Sequence, residues 1–370
     1  MRFATCCSPF RFAPDPLRIL SVVGARPQFI KAAPVQRALL ACGHEVRQIH
    51  TGQHYDDNMS GVFYRELGIP EPDVHLGVGS GSHARQTAAM FERLEPVIND
   101  ARPHCVVVYG DTNTTLAAAV VAAKLVVPVA HVEAGLRSFN RAMPEEQNRV
   151  VADHLSAILF CPTATAVRNL AAEGITAGVH LVGDVMAEAL GAAAARARTE
   201  STVLERLGLH DRGYALATVH RAENTNDPAR LAGVLGALNA LGERVVFPMH
   251  PRTRQAVAGT GWTPAAHVLV VEPQGYLDMV RLEASARVVL TDSGGVQKEA
   301  YWLGVPCVTM RDETEWVETL EGGRNVLAGS DPAAIVAAAR AAGEVRPASV
   351  LAGEGPSQRI AAVITERPWT

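Results

Sequence analysis

No apolar run in this sequence approaches the roughly 18 residues that a membrane-spanning helix needs. No Cys-x-x-Cys spacing occurs either. The six cysteines, Cys6, Cys7, Cys42, Cys105, Cys161 and Cys307, are scattered, and four lie in or beside apolar segments, where cysteine behaves as a small hydrophobe. That argues against a zinc site and a disulfide scaffold, and it fits a reducing, cytoplasmic setting. A basic excess is also missing: 34 Lys and Arg stand against 38 Asp and Glu, a net charge of −4. Nucleic acid and anionic membrane are therefore poor candidates as partners. No Walker A sequence offers a cradle for ATP. GVGSGS (77–82) approximates a dinucleotide fingerprint but ends in Ser82, and no acidic residue follows at the right distance, so a loop is expected there. No repeat of roughly 20–50 residues appears. The leader MRFATCCSPFRFAPDP lacks an apolar core of signal-peptide length and is expected to be a loose extension, residues 1–16.

What is present is an Ala-rich globular composition, 48% hydrophobic and 19% charged, in a chain of 370 residues, long for one core. Strand-like and helix-like stretches alternate. RILSVV (18–23), HEVRQIH (44–50), CVVVYG (105–110), PVAHVE (128–133) and AILFCP (157–162) form a first series. After an Ala/Arg-rich pause at 183–212, YALATVH (214–220), RVVFPMH (244–250), HVLVVEP (267–273), RVVLTDS (287–293) and PCVTM (306–310) form a second. Several are apolar without alternation, as strands buried on both faces of a parallel sheet are. The expected fold is α/β: two Rossmann-like parallel-sheet units, 17–184 and 185–352, joined near residue 185. Ligands of such sheets bind beyond the carboxyl ends of the strands.

The chemically loaded residues stand at those ends. GARPQFIK (24–31) follows the first strand; Gly24 permits a tight turn, and Arg26 and Lys31 flank a helix start suited to an anion. YGDTNTT (109–115) puts Asp111 after a buried strand, as a helix N-cap, a functional carboxylate or both. HVEAG puts Glu133 at the matching point of the next strand. MPEEQNR then opens a helix in which Glu145 and Arg149 form an i, i+4 pair. Such a pair is ordinary on a helix surface. Three carboxylates converging on one sheet edge are not, because neighbours can be held in different protonation states and so serve as acid and base. In the second unit, ATVHRAEN ends a strand with His220. TDSGGVQKEA places Ser293, Gly294 and Gly295 at a strand-to-helix turn, a seat for a diphosphate, with Glu299 in position to hold ribose hydroxyls. VEPQGYLDM offers Gln274 for a base edge and Tyr276 for stacking.

GARPQFIK, TGQHYD, YGDTNTTLA, HVEAGLRS, MPEEQNR, TVHRAEN, DSGGVQKEA and LGVPCVTMRDETE together resemble the non-hydrolysing UDP-N-acetylglucosamine 2-epimerases, over about residues 18 to 330. The resemblance implies the two-domain glycosyltransferase-B fold with its site in the cleft. It also implies a closing helix, 353–370, packed back on the N-terminal domain, and commonly a homodimer. The implied reaction eliminates UDP across C1–C2 of the sugar and re-adds it after C2 is protonated on the other face, without metal or cofactor. Asp111, Glu133 and Glu145 would be acid/base groups, Arg149 their partner, and Lys31 and His220 neighbours of the sugar and leaving phosphate. Arg26, Ser293, Gly294, Gly295 and Glu299 would hold UDP, with Gln274, Tyr276 and Met279 around uracil. Gln53 and His54, in TGQHYD, lie where some relatives bind a second UDP-GlcNAc as activator. RDETEWVE departs from the family: Trp316-Val317 replace the usual Arg-Pro, which resembles relatives acting on a UDP-linked 2,3-diacetamido glucuronic acid. A glycosyltransferase of the same fold is the rival implied by architecture alone.

Overall fold

The computed structural model describes residues 15–53, 71–314, 316–343, 345 and 355–369. The expected N-terminal extension and His54 lie outside them, apart from residues 15 and 16. The first sheet has 7 strands in the order β3-β2-β1-β4-β5-β6-β7. They are β1 (Arg18–Val23), β2 (Glu45–His50), β3 (Val74–His75), β4 (Cys105–Tyr109), β5 (Val129–Val132), β6 (Ile158–Cys161) and β7 (Val179–Leu181). The second has 6 strands in the order β10-β9-β8-β11-β12-β13. These are β8 (Ala215–Thr218), β9 (Val245–Pro248), β10 (Val268–Val271), β11 (Val288–Thr291), β12 (Cys307–Thr309) and β13 (Asn325–Leu327). Every pairing is parallel. Two parallel-sheet units in one chain are the architecture expected from the alternation of strands and helices.

The ten strands read from sequence are all present. Of the four edge strands, β3, β7 and β13 carry 2 or 3 residues each and were not anticipated. Their side chains are mostly half-exposed, so the continuous apolar run that betrays a central strand is absent from them. Central β4, by contrast, is buried at all five positions.

Both sheets reverse strand order once, between β1 and β4 in the first and between β8 and β11 in the second. A crevice opens beyond the strand ends at each reversal, and the loops there carry the site. The helix Val185–Glu200 joins the units. Its buried face shares one apolar cluster with Tyr276, Leu277, Val280 and Trp302 of the second unit and with Phe29, Ile30 and Val35 of the first. The helix Pro356–Glu366 buries Ile360, Ala361 and Ile364 in the same cluster, against the helix Arg26–Ala41.

Candidate active site

Gly24 ends β1 because nothing larger fits: a Cβ there would overlap the hydroxyls of Thr51 and Thr114. Its φ is not positive, so close approach rather than turn conformation demands glycine. The helix Arg26–Ala41 then starts under the control of Gln28, whose Oε1 accepts from Gly24 N at 2.8 Å and Ala25 N at 3.1 Å. The Gln28 amide donates to Tyr109 O at 2.9 Å, tying this helix start to the end of β4. Arg26 opens the helix. Lys31, on its second turn and buried, projects toward β5 and pairs with Glu133.

Register brings Glu133 beside the β4 loop: Tyr109 pairs with Val132, so Gly110 and Glu133 leave the sheet side by side. Glu133 adopts φ 71°, a left-handed conformation uncommon for a residue with a side chain. Gly110 has φ 60°, and a Cβ on it would come within 2.9 Å of Lys31 Nζ and 3.2 Å of Glu133 Oε2. The glycine makes room for the ion pair. A second ammonium arrives from the other domain. Lys298 Nζ lies 3.1 Å from Glu133 Oε1 and 2.7 Å from Asp184 Oδ2. Burial by itself would raise the Glu133 carboxyl; the ammoniums of Lys31 and Lys298 outweigh that and hold it at about 2.

Asp111 does not cap the helix Asn113–Lys124. Thr112 does, accepting from Thr115 N at 3.4 Å, which leaves the Asp111 carboxylate to pair with Arg149. The expected Glu145–Arg149 pair is not formed. Arg149 reaches Glu146 Oε2 at 2.6 Å, an i, i+3 contact, while Glu145 is exposed at the helix start. The reason is tertiary. The Glu146 carboxylate also accepts from Ser138 N and Phe139 N, each at 2.9 Å, so the preceding loop wraps it inward and turns its neighbour outward. Burial raises Glu146, but the Ser138 and Phe139 donors and Arg149 lower it further. Below this layer, Asp153 takes His131 and Arg137 at 2.7 Å each and braces the strand ends.

Across the cleft, Thr218 of β8 pairs in register with Thr291 of β11, so His220 and Asp292 emerge together. Asp292 is fully buried. It accepts from His220 N at 3.1 Å, Arg221 N at 3.0 Å and Asn224 Nδ2 at 3.1 Å, and it lies 3.3 Å from His220 Nδ1. Burial lowers the imidazole, Asp292 raises it and Arg221 and Arg252 lower it, leaving it below its ordinary value. Ser293 caps the helix Gly294–Leu303 through Val296 N at 3.4 Å. The first-turn N–H groups of Gly294 and Gly295 have no intrahelical acceptor, as at any helix start, and point where an anion would sit. Glu299 is buried one turn further on.

Two of the residues expected to face a base are turned into the core. Tyr276 is 3% exposed and packs in the inter-unit apolar cluster with Leu277 and Val280, so its ring offers no stacking face. Met279 packs against the cluster of Val203, Leu204 and Leu282. Both open an amphipathic helix, Tyr276–Ser285, whose inner face absorbs them. Gln274 stays half-exposed on the preceding loop, its amide donating to Glu272 O at 2.5 Å. Gln53 is tied inward, its Oε1 accepting from Thr114 N at 3.1 Å.

Sequence reasoning missed Lys298, Asp184, Glu146 and Asp292. Lys298 and Asp292 lie inside DSGGVQKEA, between and beside Ser293 and Glu299, and their place in that stretch was the available signal. Among the described residues, no group of three or more His, Cys, Asp or Glu side chains could hold a metal ion, and no helix is long and apolar enough to cross a membrane.

Two α/β units, one presenting the helix start at Ser293–Gly295 and the other a carboxylate–lysine cluster, have the glycosyltransferase-B architecture. A family model described as UDP-N-acetylglucosamine 2-epimerase matches residues 39–364. The chain is 49% identical over 333 residues to UDP-2,3-diacetamido-2,3-dideoxy-D-glucuronate 2-epimerase of Pseudomonas aeruginosa, covering 88% of this chain and 92% of that protein. It is 42% identical over 322 residues to UDP-N-acetylglucosamine 2-epimerase of Methanococcus maripaludis, covering 84% and 87%. The crystal structure of the Methanocaldococcus jannaschii UDP-GlcNAc 2-epimerase in complex with UDP-GlcNAc and UDP superposes with a TM-score of 0.87 at 38% identity, over 94% of this chain and 99% of that one. The chain belongs to the UDP-N-acetylglucosamine 2-epimerase family, and it is an epimerase, an isomerase by reaction class.

Proposed function

We propose that the protein interconverts UDP-GlcNAc and UDP-ManNAc without hydrolysis. One observation carries the reading: a buried carboxylate, Glu133, held ionised beside the Asp111–Arg149 pair, opposite a helix start built for a diphosphate. The C2 proton has no adjacent carbonyl to acidify it, so its loss is coupled to departure of UDP. The C2–H pair becomes the C1–C2 double bond, and the C1–O pair leaves with the diphosphate. Protonation of C2 on the opposite face and return of UDP to C1 complete the inversion. A carboxylate takes the first proton and a carboxylic acid gives the second. Asp111, Glu133 and Glu145 are the candidates for these two roles. Lys31 and His220 attend the sugar and leaving phosphate. Arg26, Ser293, Gly294, Gly295 and Glu299 hold UDP, and donors aimed at the departing diphosphate stabilise it. Gln274 attends the uracil edge.

A second reading has support of its own. Trp316 stands where the family resemblance leads one to expect arginine, and the diacetamido glucuronate epimerase is 49% identical. A UDP-linked diacetamido uronate would undergo the same C2 chemistry. We further propose domain limits at 17–184 and 185–352, with 353–370 assigned to the N-terminal side, a homodimer, and a cytoplasmic setting. An activator UDP-GlcNAc beside Gln53 is proposed on the resemblance alone.

The deciding experiment is proton NMR of UDP-GlcNAc with the protein in D2O and no added cofactor. Formation of UDP-ManNAc carrying deuterium at C2 is the expected result. Turnover of only the diacetamido uronate would establish the second reading. No exchange with either would overturn both and favour a glycosyltransferase.

A further inference from the structure

Lys298 is a buried ammonium that the mechanism above does not use. It sits on the second turn of the helix Gly294–Leu303, whose first turn is the proposed diphosphate seat. Its three donors face a crowded shell. Glu133 Oε1 is 3.1 Å away, Asp184 Oδ2 is 2.7 Å away, and the Trp316 ring centroid lies at 3.8 Å. The Trp302 ring flanks it at 5.1 Å. Asp184 is itself anchored, its other oxygen accepting from Met186 N at 2.8 Å as the cap of the inter-unit helix. Lys298 is therefore fixed by groups that do no chemistry, and it delivers one N–H to a group that does. A cation over an aromatic face gains from the ring quadrupole, most when desolvated. Trp316 thus lies against a positive charge although it carries none itself.

We propose that Lys298 is a positioning residue of the epimerase, acting across the domain junction to hold the Glu133 carboxylate in place, so that the acid–base site is complete only when the two domains are in contact. This rests on the functional reading of Glu133 given above. Glu133 receives one ammonium from each domain, Lys31 from the first and Lys298 from the second. Among the described residues, the other charges around the pair are Asp184, the Asp111–Arg149 pair beyond Gly110, and Glu318. Burial raises the Glu318 carboxyl, Lys298 lowers it and Asp184 raises it, leaving it above its ordinary value. Without Lys298, Glu133 would keep its burial and only one cation, and it would take up a proton far more readily.

The test is the titration of Glu133 itself, followed by carbon NMR of the glutamate carboxyls, with Glu133→Gln assigning the signal. In wild type the carboxylate should stay ionised down to the acid limit of folding. In Lys298→Met its midpoint should rise by roughly two pH units, and Lys298→Arg should restore it. The acid limb of kcat/KM should move with it. Lys298→Met compared with Asp184→Asn plus Lys298→Met, and with Asp184→Asn alone, carries the same test if the single variant folds poorly. An unmoved Glu133 midpoint would overturn the proposal, because it would mean that Lys298 does not act on that carboxylate. Because the titration needs no turnover, a wild type inactive on both UDP-sugars would sink the functional reading while Lys298 was still judged.

Discussion

At the scale of single residues, the three proposed acid–base carboxylates have different neighbours. Glu133 lies between two ammoniums, Asp111 beside one guanidinium, and Glu145 in solvent. Glu133→Gln and Asp111→Asn should each abolish C2 exchange while leaving UDP affinity, read by calorimetry, near wild type. A variant retaining most of its turnover would remove that residue from the catalytic set. Glu146 and Glu145 separate by the same assay. Glu146→Gln weakens the hold on Arg149 and the loop at Ser138–Phe139 and should lower both stability and kcat. Glu145→Gln should leave stability unchanged, and its effect on exchange alone decides whether Glu145 acts in turnover. Trp316→Arg would set a guanidinium against the Lys298 ammonium; a lowered Tm is expected, because like charges brought together in a poorly solvated place repel strongly.

At the scale of elements, turns and caps do the placing. Thr112, not Asp111, closes the start of its helix, so Thr112→Ala should cost about 1 kcal/mol by loss of the cap and leave the Asp111–Arg149 pair standing. Urea denaturation of the variant checks it. Gly110→Ala is harsher: its Cβ would press on Lys31 and Glu133 at a positive φ, so both activity and stability should fall. The helix Pro356–Glu366 is held by apolar burial, and Ile360 is fully buried. Ile360→Ala should cost about 2–5 kcal/mol if the cavity does not collapse. A much smaller loss would mean that this helix contributes little to holding the units together.

At the scale of the whole molecule, the junction couples stability to pH. The Glu133 carboxyl is lowered from 4.5 to about 2 in the folded protein. A group depressed on folding stabilises fully above its unfolded value and loses that contribution as pH falls toward its folded value. The window is therefore between about 4.5 and about 2, and the contribution is on the order of 3 kcal/mol. Asp153 and Glu146 are lowered too and act in the same direction. Denaturation midpoints measured from pH 7 to pH 3 should fall steeply at the acid end, and Glu133→Gln should flatten that fall. An equal slope in the variant would mean that other carboxylates govern acid unfolding.

The alternation of apolar runs with helical stretches, the turn at DSGG and the placing of Asp111, Glu133, His220 and Ser293 at strand ends were all legible in the residues, because period and position along a strand are local properties. Short edge strands were not, since 2 or 3 half-exposed residues carry no period. Partner choice was not legible either. Whether Arg149 takes Glu145 or Glu146, whether Tyr276 meets a base or the core, and whether Lys298 reaches Glu133 are settled by which segments the fold brings within a few ångströms. Coulomb and hydrogen-bond energies depend on that distance and on burial, neither of which sequence spacing contains. The chain by itself determined two parallel sheets and which residues stand at their carboxyl edges. Only the tertiary structure decided that a lysine from one domain stands against the buried carboxylate of the other.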